Sequence, residues 1–190
     1  QTGVPLPLGD LKIIMPAQKA FKSYSRSLDM ETGEISVSWL DGETFIERTV
    51  FVSRTDDAVI CQIRSRGPRE IDAWISMDLH DRSDARMSNQ HISKLPDGLE
   101  TVLDPTFFQY AAANDDGTDF GAVVRVWSEH GDVQVQEGKI HVTGTDQVFI
   151  ALKPFVKGAR LQDWARLKRE LTLLGTDYNK LFQSHKQEHE

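Results

Sequence analysis

Cysteine occurs only once, at Cys61, so this chain of 190 residues cannot close an intramolecular disulfide and needs no oxidising compartment to fold. Basic residues are outnumbered, 22 against 29 acidic. The formal charge of −7 comes with no block of Lys or Arg that could release counterions from a phosphate backbone, so nucleic acid is not an expected partner. Long apolar runs are missing too. Stretches such as Val148 to Leu152 fall far short of the ~20 residues a spanning helix needs, and no membrane partner is expected. The opening residues lack the basic, apolar and small-residue sections of a signal peptide, and the localisation stays open. There is no solenoid-length repeat and no low-complexity tract. What is present is 39% apolar content, ample for an ordinary hydrophobic core.

Up to about Phe155 the patterning is that of strands. In Glu34 to Leu40, the residues Ile35, Val37 and Trp39 alternate with Glu34, Ser36 and Ser38, which gives one buried face and one wet face and places Trp39 in the core. Asp41-Gly42 separates this run from Glu43 to Val52 and predicts a tight antiparallel hairpin of type I′, with positive φ at both residues. Further strands are expected at Leu11 to Met15, Phe21 to Leu28, Ala58 to Arg64, Glu70 to Leu79, Phe120 to Ser128, Asp132 to Val135, Lys139 to Val142 and Gln147 to Lys153. Weaker ones are expected at Arg86 to Ile92 and Phe107 to Ala112, separated by a Pro96-Asp97-Gly98 turn. Many short strands without intervening helices predict a mainly β fold, a large antiparallel β-sandwich over residues 1–155. The period then changes. Leu161, Trp164, Leu167, Leu171 and Leu174 form one helical stripe, Gly175 is placed to close that helix in a left-handed conformation, and Thr176 to cap a second. Residues 156–190 are thus expected as a C-terminal helical linker whose apolar faces need cover.

The candidate chemistry is sparse. Trp74 falls on the polar side of its strand with Asp72, Ser76 and Asp78, and Trp127 shares a side with Arg125 and Val123. An indole beside a carboxylate or an Arg suits a sugar, whose C–H face stacks on the ring while its hydroxyls bond the polar neighbours. Trp74, Trp127 and Arg125 are therefore the candidate substrate-binding residues, with an oligosaccharide as their ligand, although packing against another layer explains the same pattern. His185, Glu188 and His189 spell H-x-x-E-H, a pattern that holds zinc when a third ligand and a cleft accompany it; a solvated helix end is the plainer reading. Asp78, His80, Asp81 and Asp84 read as a solvated turn, and the pairs Asp56-Asp57 and Asp115-Asp116 as turn chemistry. Cys61 reads as a small core residue. No catalytic residue, metal site or cofactor is assigned.

One stretch carries a family signature. Tyr24, Arg26, Leu28, Asp29, Met30, Thr32, Gly33, Val37, Arg48, Phe51, Ser53, Asp57 and Val59 are spaced so that Tyr24 to Val59 resembles the amino-terminal β-domain of family 95 glycoside hydrolases, the α-L-fucosidase group. Pro7 to Ile13 resembles a further strand of that family, and Asp177 to His185 resembles its linker helices. The resemblance implies a domain truncated at its start and a scaffold role beside an (α/α)6 catalytic barrel of the same polypeptide, where a carboxylic acid drives inverting hydrolysis. The parent would then be a glycoside hydrolase and this chain alone not catalytic. A free-standing carbohydrate-binding module using Trp74 and Trp127, and a zinc hydrolase centred on His185, Glu188 and His189, are the alternatives.

Overall fold

The computed structural model describes residues 8–78 and 98–189. Their strands are β1 (Asp10–Ile14), β2 (Lys22–Leu28), β3 (Ile35–Asp41), β4 (Thr44–Ser53), β5 (Ala58–Arg66), β6 (Ile71–Asp78), β7 (Glu100–Asp104), β8 (Phe107–Ala113), β9 (Asp119–Trp127), β10 (Asp132–Gln136), β11 (Lys139–Thr145) and β12 (Gln147–Gly158). Two helices, α1 (Arg160–Leu173) and α2 (Tyr178–His189), follow. The strands form two antiparallel sheets, one of four in the order β1-β6-β11-β10 and one of eight in the order β2-β3-β4-β5-β12-β9-β8-β7. The expected mainly β sandwich with trailing helices is the observed fold.

Two cores follow from the alternation. Ile71, Ala73, Ile75 and Met77 of β6 face Ala122, Val124 and Val126 of β9 and Val148, Ile150 and Leu152 of β12 between the sheets. The opposite face of the large sheet, with Phe51, Ile60, Val123, Phe149 and Ala151, packs under Trp164, Leu167 and Leu171 of α1 and Tyr178 and Leu181 of α2. The helices therefore find much of their cover on the sheet itself. Leu161, read as part of the buried stripe, is 74% exposed instead, because a side chain three residues before Trp164 already lies on the shoulder of the helix. β9 lies too close to β8 for a side chain at Gly121, where a Cβ would stand 2.0 Å from the Tyr110 carbonyl oxygen. That oxygen receives the Trp164 indole N–H at 3.2 Å.

Several local expectations change. Asp41 pairs with Thr44, so the turn residues are Gly42 and Glu43. Gly42 alone has positive φ, at 65°, which is the II′ pattern rather than I′. Asp41 is thereby freed for another role: its carboxylate accepts the backbone N–H of Gln18 at 3.0 Å, that of Lys19 at 3.0 Å, and the Arg69 guanidinium. This cluster anchors the crossing from β1 in the small sheet to β2 in the large one.

Gly175 does not close α1. Leu174 ends it in extended backbone, φ −64° and ψ 129°. Asp177 rather than Thr176 caps α2, accepting the Lys180 N–H at 3.1 Å. Strand β7 was not expected, since its residues are mostly exposed and show no clean alternation. The strand expected over Arg86 to Ile92, together with Pro96 and Asp97, lies outside the described residues.

The sheets are unequal in width, with a consequence for the surface. β2, at the edge of the large sheet, is exposed along its whole length. On the face turned toward the small sheet, Leu28 is 53% and Ile35 42% exposed; among the described residues, Ile13 and Met15 at the end of β1 are what reaches the cavity of this wing.

Candidate functional site

Trp74 stands on the outer face of the small sheet, opposite His141 in register. The two rings stack at 3.8 Å with their planes 12° apart. His141 Nε2 lies 2.8 Å from the Asp72 carboxylate, and Lys139 Nζ is 5.9 Å from the Trp74 ring centre. The expected grouping of an indole with a carboxylate is present, and a histidine and a lysine have joined it from β11. Asp78 ends the same strand; His80, Asp81 and Asp84 lie outside the described residues.

Trp127 and Arg125 lie on the helix-covered face of the large sheet, with the two sheets between them and Trp74. Trp127 is half-buried against the core beneath the helices. Arg125 Nη1 donates to the carbonyl oxygens of Leu171 at 2.7 Å and Leu174 at 3.1 Å. Helix α1 has no basic residue in its last turn. A guanidinium from the sheet thus satisfies carbonyls that the helix leaves open and complements the negative end of its dipole, and this is why no left-handed glycine is needed there. Burial pulls the Arg125 pKa below its usual value. Replacing Arg125 with Met, which keeps the stem and removes the donors, is expected to lower stability by about 2 kcal/mol, as for lost hydrogen bonds from a charged group. The midpoint of urea unfolding checks it; an unchanged midpoint would count against the cap.

The H-x-x-E-H run is spent on packing at its first residue. His185 is 3% exposed, stacks on Phe51 at 5.0 Å, and its Nε2 donates to the Thr32 carbonyl oxygen at 2.9 Å. Among the described residues, no group of three or more His, Cys, Asp or Glu could hold a metal ion. Asp116 accepts the Thr118 N–H at 3.0 Å and Asp56 the Ser53 hydroxyl at 2.7 Å, so both acidic pairs make the turn contacts expected of them. Burial pushes the Cys61 thiol up to about 12, leaving no thiolate at neutral pH.

Sequence reasoning passed over one feature. The exposed wing holds a cavity of about 200 Å³ lined by Ile13, Met15, Phe21, Tyr24, Trp39 and Arg48, with Val37 at its floor. Phe21 and Trp39 stand 6.0 Å apart with planes inclined at 57°, so Trp39 is a wall of this cavity as much as a core residue. The signal was there in the hairpin register: pairing Asp41 with Thr44 sets Val37 opposite Arg48, and hence Arg48 on the inward face.

Residues 1–154 match the family described as glycosyl hydrolase family 65, N-terminal domain. That match overturns the resemblance to family 95 and its fucosidases. Part of the signature, Asp29, Thr32 and Gly33, builds a local turn. Asp29 accepts the N–H groups of Glu31 at 2.9 Å and Thr32 at 3.2 Å, and Gly33 supplies φ of 69°. Any sandwich with this turn favours the same residues. Among solved structures, "Putative kojibiose phosphorylase from human microbiome" is similar with a TM-score of 0.63 at 11% identity, covering 97% of this chain and 28% of that one. The chain therefore spans under a third of that protein's length. No curated protein matches the chain.

Proposed function

Since this chain belongs to the family of glycosyl hydrolase family 65 N-terminal domains, we propose that it is the scaffold of a larger enzyme that cleaves α-glucosidic bonds, docked against a catalytic domain of the same polypeptide. The observation that carries this reading is one of proportion. Nearly the whole chain, helices included, superposes on 28% of a chain titled as a phosphorylase, so the remainder of such a protein has room for the catalytic part. Exposed apolar residues support it. Val156, Leu161 and Leu173, on and just before α1, are 73%, 74% and 82% exposed, a surface suited to a second domain.

The scaffold role predicts that the isolated chain, incubated with kojibiose and inorganic phosphate, releases no glucose 1-phosphate above the protein-free blank, and no glucose when phosphate is omitted. Turnover by the chain itself would overturn it. Reading the gene beyond residue 190 tests the rest: several hundred further codons are expected, and a stop close to that point ends the proposal of a catalytic partner in the same polypeptide.

A further inference from the structure

The cavity on the β2–β4 wing has a composition that packing alone does not account for. On the inward face of this wing, Arg26 and Arg48 flank Val37 from either side in register. Neither guanidinium makes a hydrogen bond or ion pair among the described residues, and Arg48 is half-buried. Asp41, the carboxylate of β3 on that face, is already engaged by Arg69 and by the N–H groups of Gln18 and Lys19. A half-buried cation without a counter-charge carries a desolvation cost that an incoming anion would offset.

Around Arg48 the lining is aromatic. Phe21 and Trp39 make an open V, and Tyr24 stands at 58% exposure along the rim. Half-exposed aromatic faces are costly in water and suit the C–H face of a pyranose ring. Size narrows the ligand further. About 200 Å³ lies below the roughly 300–1,000 Å³ typical of sites for drug-sized molecules and leaves room for a single ring. Arg48 is the one charged side chain among the described lining residues, which matches a single anionic group on an otherwise neutral sugar.

We propose that this groove is a binding site for one pyranose unit carrying a single anionic group, with the ring against Phe21 and Trp39 and the anion on Arg48. The site lies apart from Trp74, Trp127 and Arg125, and it is argued without the scaffold reading; its failure leaves the family assignment untouched.

Isothermal titration of the intact chain with four probes tests it: glucose 1-phosphate, glucuronate, glucose and inorganic phosphate. At least one charged sugar is expected to bind about tenfold or more tightly than both glucose and phosphate, as for a charge-assisted contact added to ring stacking. Which charged sugar binds more tightly identifies the anion as a phosphate ester or a carboxylate. Arg48→Met is expected to erase the preference for charge, and Phe21→Ala, at a position 55% exposed and tolerant of truncation, to weaken the charged and neutral sugars alike. Glucose binding as well as the charged sugars, phosphate binding as well as either, affinity unchanged in Phe21→Ala, or no saturable heat from any probe would each overturn the proposal.

Discussion

Trp164→Ala is expected to cost about 3–5 kcal/mol, the range for deleting a large buried aromatic. Trp164 is 3% exposed and is the largest side chain that α1 buries against the large sheet. Its loss opens a cavity under Leu167 and Leu171 and strands the Tyr110 carbonyl that its indole N–H now satisfies. For a chain of this size the midpoint of thermal unfolding should fall by roughly 6–20 °C. Leu161→Ala, three residues earlier but 74% exposed, is the matched control and should change stability by less than about 0.5 kcal/mol. If the two variants melt alike, the helices are an appendage and the second core does not exist as a cooperative unit.

Asp41→Asn should be nearly as damaging, at about 3 kcal/mol. Breaking a buried ion pair costs about 3–5 kcal/mol, and the side chain of Arg69 keeps 18% of its surface in water, which places the loss toward the lower end. The amide also sets an N–H group against the donors of Gln18 and Lys19. Burial by itself would raise the Asp41 pKa; the N–H groups of Gln18 and Lys19 and then the Arg69 guanidinium outweigh it and hold the carboxyl below its ordinary value. A carboxylate with a depressed folded pKa stabilises the fold fully above its unfolded value of about 3.9, and that contribution disappears as pH falls through the folded value. The gap in urea midpoint between the parent and Asp41→Asn should therefore be wide at pH 7 and narrow below pH 4. A gap independent of pH would mean that the charge on Asp41 is not what anchors the crossing. Since that crossing carries Ile13 and Met15 toward Phe21, the same substitution should loosen the cavity wall.

The strands were readable where alternation is clean. Ile35, Val37 and Trp39 sit on one face of β3 as their period requires, and Ile71, Ala73, Ile75 and Met77 on one face of β6. Strand β7 was not readable, because its pairing with β8 comes from a long-range ladder and its own residues show no preference for either face. The turn at Gly42 was right in place and wrong in type: a dipeptide signal reports that the chain reverses, while the strand register decides which residue is central. The candidate residues fared similarly. Sequence put Trp127 and Arg125 on one side of one strand, which is where they are, but the identity of the layer over that side depended on where α1 would lie. Arg48 went unnoticed because an arginine in an alternating strand looks like a solvated face until the register turns it inward.

By itself, the sequence determined the mainly β character, the positions of most strands and the two trailing helices, because period-two and period-3.6 patterns are local and each residue reports its own face. It also determined the turn at Asp29 to Gly33, which is part of the family signature but cannot say which family, since turn chemistry is common to unrelated sandwiches. Only the tertiary structure decided that one sheet is twice as wide as the other, that Arg125 serves a helix terminus, and that Phe21, Trp39 and Arg48 line one open groove. Those outcomes depend on which distant segments share a ladder and which layer covers which face, and contacts across so many residues leave no periodic trace along the chain.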